Sequence, residues 1–128
     1  MDLEHIIRPR RKALVLAAES VVSEGRDRLP DKSQLNRLVS VCGEATCTEE
    51  IGNYLRYQAS RRGNSWRRDF ADLVIAKIEA PLEQLSSDLH AHTDGERDRA
   101  RVAAWRLYAV YLARAVTYAR AAAQDAQP

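Results

Sequence analysis

A chain of 128 residues with 45% hydrophobic and 30% charged residues has the make-up of one ordinary globular domain, large enough to bury a core without staples. No apolar run reaches the roughly 18 residues that a membrane span needs. Glu19 ends the run Ala13–Ala18 too early for a signal peptide, and two cysteines are too few for a disulfide scaffold, so a cytoplasmic protein is expected. The net charge of +2 hides a segregated pattern. Residues 8–12 carry four basic groups, residues 51–68 carry five arginines and no acid, and Arg99 to Gln124 repeats that. Arginine bias and the many alanines suit a GC-rich genome, so the placement of the arginines is the informative part.

In chain order, Pro9 fits the first turn of a helix in which Leu14, Ala17, Ala18 and Val21 form one face and Gly25 caps the end. Arg26 to Lys32, with Leu29-Pro30 inside it, reads as a loop. A short second helix carries Leu35, Leu38, Val39 and Cys42 on one face, is capped by Asp31 or Ser33, and ends at Gly43. Thr48 followed by Glu49 and Glu50 marks the start of a third helix running to Gly63, with a thin apolar face that places it at an edge. The fourth keeps helical spacing through Trp66, Phe70, Val74, Ile78, Leu82, Leu85 and Leu89, and a kink is expected at Pro81.

Thr93-Asp94-Gly95 turns the chain into the last and longest helix, Glu96 to Gln124. Val102, Trp105, Ala109, Leu112, Val116, Ala119 and Ala123 form its apolar stripe, with Tyr108, Tyr111, Ala115 and Tyr118 as a second row beside it. Arg99, Arg106 and Arg120 are related by heptads, with Arg114 nearly in line, so much of the charge is expected along one side. No segment alternates as a strand does. The fold class is all-α, one domain built as a bundle of about five helices with a long basic C-terminal helix.

The sharpest local feature is Arg61-Arg62-Gly63-Asn64-Ser65-Trp66-Arg67-Arg68. Four arginines surround a tight turn at the start of a helix, where charge, forked hydrogen bonds and free N–H groups together suit phosphate. Trp66 begins the apolar stripe of the fourth helix and reads as core rather than as a stacking platform, and so do the tyrosines of the last helix, of which at most one is free for contact. The candidate RNA-binding residues are Arg56, Arg61, Arg62, Arg67, Arg68, Arg106, Arg114 and Arg120.

Asp88, His90 and His92 with Cys42 and Cys47 raise the question of zinc. The C-x4-C spacing is loose and H-x-H does not suit one helix face, so no metal site is expected and the cysteines read as reduced thiols. No Ser/His/Asp or Cys/His grouping and no glycine-rich phosphate loop stands out, and neither His5 nor His90 has the arginine spacing of small helical ribonucleases, so no catalytic residue and no cofactor are expected. Asp72, Glu79 and Glu83 share a face opposite the apolar stripe and read as solvated surface or as a match for an arginine-rich neighbouring copy.

The order of features resembles the small subunit of type III CRISPR effector complexes, the small helical protein of the Csm and Cmr systems. Ser33-Gln34-Leu35 opening the second helix, Tyr57 and Arg61 in Tyr-Gln-Ala-Ser-Arg on the third, and Leu107 to Tyr118 carry the likeness, which spans about Lys32 to Arg120. Asn36 stands where the family often has a basic residue, and Arg114 where an acid is common. The resemblance implies a non-catalytic protein of antiviral defence that stacks in several copies, with guide RNA, target RNA, other CRISPR effector subunits and further copies of itself as partners and no membrane. The rival readings are a helical DNA-binding regulator and a plain protein-interaction bundle.

Overall fold

The computed structural model describes residues 1–126, and among them every regular element is helical. The helices are α1 (Leu3–Ile7), α2 (Arg11–Glu24), α3 (Lys32–Glu44), α4 (Thr48–Ser60), α5 (Arg68–Asp88) and α6 (Asp94–Asp125). The five long ones are those expected. α1 is an addition: Asp2 caps it by accepting from the His5 N–H at 3.2 Å, and a 3-10 turn, Arg8–Arg10, joins it to α2. Pro9 sits in that turn, where its missing N–H breaks no bond.

Boundaries moved where capping chemistry differs from the pattern. α3 passes through Gly43 to Glu44, since an exposed helical glycine costs only about 1 kcal/mol against alanine. Thr48 lies inside α4 and is buried rather than capping, while Glu50 reaches back and accepts from the Thr46 N–H at 2.8 Å and its hydroxyl at 2.6 Å. Those bonds hold the Glu50 carboxyl below its usual range. α6 opens two residues early on a capping box, in which Thr93 and Glu96 each satisfy the other's free N–H.

α6 is the spine, packed against α2 and α3 over most of its contacts and against α5 and α4 beyond them. Ala100, Ala104, Trp105, Tyr108, Ala109, Leu112 and Val116 are buried, and the small alanines let neighbouring helices approach closely. Tyr108 is at the centre of the core. Its hydroxyl donates to the Val74 carbonyl on α5 at 2.6 Å, so a polar tip is buried at no net loss, and Trp105 meets its ring edge-on at 5.2 Å. The expected stripe stops at Val116. Ala119 is only half-buried, Ala123 is exposed, and residues 121–126 stand clear of the bundle, because at 32 residues (about 48 Å) α6 outruns the helices that could cover it. Tyr118, placed in the second row, is 77% exposed.

α5 continues unbroken through Pro81. The apolar register of Ile78, Leu82 and Leu85 is buried on both sides of it, so packing replaces the one backbone bond that proline removes. Gly25 follows α2 with a φ of −103°, so its role is space rather than conformation: a Cβ there would lie 2.5 Å from the Phe70 ring. Trp66 is 2% exposed and tilts against Phe70 at 6.1 Å, which places it in the core as expected.

Candidate nucleic-acid interface

The turn between α4 and α5 is held by two polar side chains, Gln58 and Asn64. Arg61 ends α4 in extended backbone, and Gly63 takes a φ of 76°, the left-handed conformation that reverses the chain and that glycine adopts without strain. Asn64 then ties both ends together. Its Nδ2 donates to Oε1 of the buried Gln58 at 2.7 Å, and its Oδ1 accepts from the Trp66 N–H at 2.9 Å. Trp66 plugs the turn into the core behind it. The four arginines therefore stand on a braced frame, all exposed.

Their partners differ. Arg61 lies 5.7 Å over the Tyr57 ring, a cation–π contact that orients the guanidinium, and its Nη1 also donates to Gln58 Oε1 at 3.5 Å. Arg62 has no carboxylate partner among the described residues. Arg67 approaches Asp69 only at 4.0 Å. Arg68 faces Arg56 across a shallow cleft of about 200 Å³ between α4 and α5, with Asp72 on its rim. Among the described residues, Arg67 is the only one of the eight predicted arginines with a carboxylate oxygen within 4.0 Å.

One N–H group at the start of α5, that of Phe70, is already taken by a carboxylate. Asp69 supplies it, accepting from the Phe70 N–H at 2.8 Å and from Arg28 at 2.8 Å. The Arg28 bond, then the helix N–H, hold the Asp69 carboxyl below its ordinary range.

The arginines of α6 do not share one side either. Arg106 is exposed and lies near the C-terminal end of α3, its Nε 3.8 Å from where a Gly43 side chain would begin. A cation there suits the partial negative charge of a helix end. Arg114 is exposed on the other flank, beside α2. Arg120 is half-buried and committed to structure, donating to the Leu29 carbonyl at 3.2 Å and to that of Pro30. The heptad spacing is real, but α2 and α3 pack on opposite flanks of α6 and divide the row between them.

Two arginines outside the predicted set come from the segment that meets the turn. Arg26 is exposed, and Arg28 bridges Asp27 and Asp69. They belong to the loop after α2, which meets the turn where the Asp31 N–H donates to Ser65 Oγ at 3.0 Å. Nothing in the local sequence signals that contact, since it joins residues 34 apart.

His90 and His92 do not come together with the cysteines. Cys42 is buried in α3, Cys47 precedes α4, and among the described residues no three potential ligands cluster. Burial pushes the Cys42 thiol up to about 12, despite the nearby charge of Arg106. The His90 Nδ1 lies 3.1 Å from the Ser87 carbonyl, to which its N–H tautomer donates, and His92 lies 3.6 Å from Glu96. Among the described residues no helix is long and apolar enough to cross a membrane.

No protein-family model, characterised protein or solved structure matches the chain.

Proposed function

We propose that this protein is a non-catalytic, RNA-binding small subunit of a ribonucleoprotein complex, of the kind found in type III CRISPR effectors. In this reading several copies lie along guide and target RNA beside other effector subunits, and cleavage belongs to those others. The likeness in sequence supplies the complex. The observation that carries the binding is physical: Arg56, Arg61, Arg62, Arg67 and Arg68 project from one braced turn and its flanks with almost no carboxylate to neutralise them. Exposed arginines on a rigid frame release counterions when they meet phosphates, and their planar forks suit the phosphate oxygens.

A helical DNA-binding regulator fits less well. Its recognition helix would be α4, whose first turn exposes Glu49 and Glu50 where a groove-reading helix brings its N-terminus to the bases. Repulsion from the DNA backbone disfavours that docking.

Replacing Arg61, Arg62, Arg67 and Arg68 together by alanine tests the reading. RNA affinity is expected to fall at least about tenfold near 0.1 M salt, with the slope of log affinity against log salt flattened by roughly one unit per lost contact. Helicity and thermal midpoint stay as in the parent protein, because exposed arginines hold little of the fold. Unchanged affinity and salt slope in this variant would overturn the reading in favour of a protein-interaction bundle.

A further inference from the structure

Beside the turn, α2 and α6 diverge and leave an open groove of about 560 Å³ that no predicted site includes. Its floor is apolar, made by Val15 and Val22 of α2 and by Ala115 and Ala119 of α6. Tyr118 stands at its edge, 77% exposed. Arg114 on one bank and Arg26 at the end nearest the loop have no carboxylate partner among the described residues, and Glu19 is the one acid in the lining.

We propose that this groove is a base-binding site for single-stranded RNA, in which a nucleobase lies against Tyr118 over the alanine floor and flanking phosphates are held by Arg26 and Arg114. The inference rests on the RNA-binding reading above and adds a second, base-dependent contact to the phosphate contacts of the turn.

Position is the first reason. The groove ends at Arg26, and the loop that follows is fastened to both neighbours: Arg120 of α6 holds the Leu29 and Pro30 carbonyls, and the Asp31 N–H is bonded to Ser65 within the arginine turn. One loop therefore touches both the turn and the helix that lines the groove.

Chemistry is the second reason. Stacking on an aromatic face needs an exposed ring next to apolar surface, with cations within reach of the backbone, and single-strand-binding grooves combine these parts. Among the tyrosines of α6 only Tyr118 meets the first condition, since Tyr108 is buried and Tyr111 half-buried. A protein helix laid in the groove would have to match Arg26 and Arg114 with acids at particular positions, whereas RNA brings one negative charge with every nucleotide. Glu19 gives the site an acceptor for an exocyclic amino group, which adenine carries and an abasic sugar lacks.

The experiment compares a labelled decaadenylate with an abasic oligonucleotide of the same length and charge, by fluorescence anisotropy, on the full-length protein. Decaadenylate is expected to bind the parent protein roughly tenfold more tightly than the abasic strand, a ratio set by one stacked base. Tyr118→Ala removes that advantage and Tyr118→Phe keeps it; the residue is exposed, so neither change disturbs the core. Arg26→Ala with Arg114→Ala weakens both strands. Equal affinity for the two strands, or a Tyr118→Ala protein indistinguishable from the parent, overturns the proposal and assigns the groove to a protein partner, while the alanine variant of the turn still reports on the RNA-binding reading by itself. Absence of binding to either strand overturns both.

Discussion

The two ends of the bundle use the same residue type for opposite purposes. Where α2 begins and α5 ends, Arg8, Arg10 and Arg97 are spoken for. Arg10 reaches across to Asp88, Arg8 pairs with Glu4 one helical turn away at 2.8 Å, and Arg97 joins Asp94 and the carbonyls of Leu89, His90 and His92. Arg97 thereby collects the carbonyls left free at the end of α5 and acts as its cap. At the far end Arg61 and Arg62 have no carboxylate within 4.0 Å among the described residues, and Arg67 reaches one only at that limit. Arginine count separates the two ends poorly; what separates Arg8, Arg10 and Arg97 from Arg61 and Arg62 is their partners. A cation closed by a carboxylate or by helix-end carbonyls is part of the fold, and a cation left open on a braced turn is available to a ligand.

That contrast can be broken most directly by exchanging the variants. Alanine at Arg8, Arg10 and Arg97 removes nearly as much charge as the change at the turn, yet RNA affinity is expected to move by no more than about twofold, against at least tenfold for the turn. Equal losses at the two ends would mean that RNA senses only net charge. The measurement is a salt titration of binding on both proteins, with circular dichroism to confirm that each is folded.

Leu112→Ala sharpens the comparison from within. Leu112 is fully buried on α6, so its removal is expected to cost about 2–5 kcal/mol by transfer and cavity terms, read by denaturant unfolding. Binding at a concentration and temperature where the variant remains folded should be retained, because the turn is held by Gln58, Asn64 and Trp66 rather than by this side chain. Loss of RNA binding in the folded variant would show that the turn depends on the whole core.

The smallest effect belongs to Asp88. Its carboxyl is held below the ordinary range, first by the hydrogen bond from Arg10. A depressed folded value contributes stability that is fully present above the unfolded carboxylate range near pH 4 and is lost as pH falls through the folded value. Asp88→Asn is therefore expected to lower the thermal midpoint slightly at pH 7, with the difference from the parent closing as the pH is taken below about 4. A difference that persists undiminished in acid would show that the pair contributes through packing and not through charge.

Much of this molecule was legible in the order of its residues. Apolar spacing located five helices, because a helix buries whatever recurs every three to four residues. It put Trp66 and Tyr108 inside for the same reason. The turn Arg61–Arg68 also stood out, since Gly-Asn-Ser between two helical patterns is a local signal. Less legible were the capping exchanges around Thr46–Glu50 and Thr93–Glu96, where a few hydrogen bonds moved helix starts by one or two residues.

What the sequence by itself determined is local: helix positions, the burial of their apolar faces, and the presence of an arginine-rich turn at the start of α5. What only the tertiary structure decided is partnership. Arg114 and Arg120 are six residues apart on one helix, yet one faces a groove and the other is bonded to a loop some ninety residues earlier in the chain. Asp69 takes one N–H of the helix start, that of Phe70, and Arg28 arrives beside it from another element. Tyr118 keeps the spacing of a buried residue and is exposed, because it lies at the edge of the open groove between α2 and α6. Such outcomes depend on which helices end where and on what packs at each flank. A side chain's spacing sets the direction in which it points, and only the surrounding fold sets what it meets.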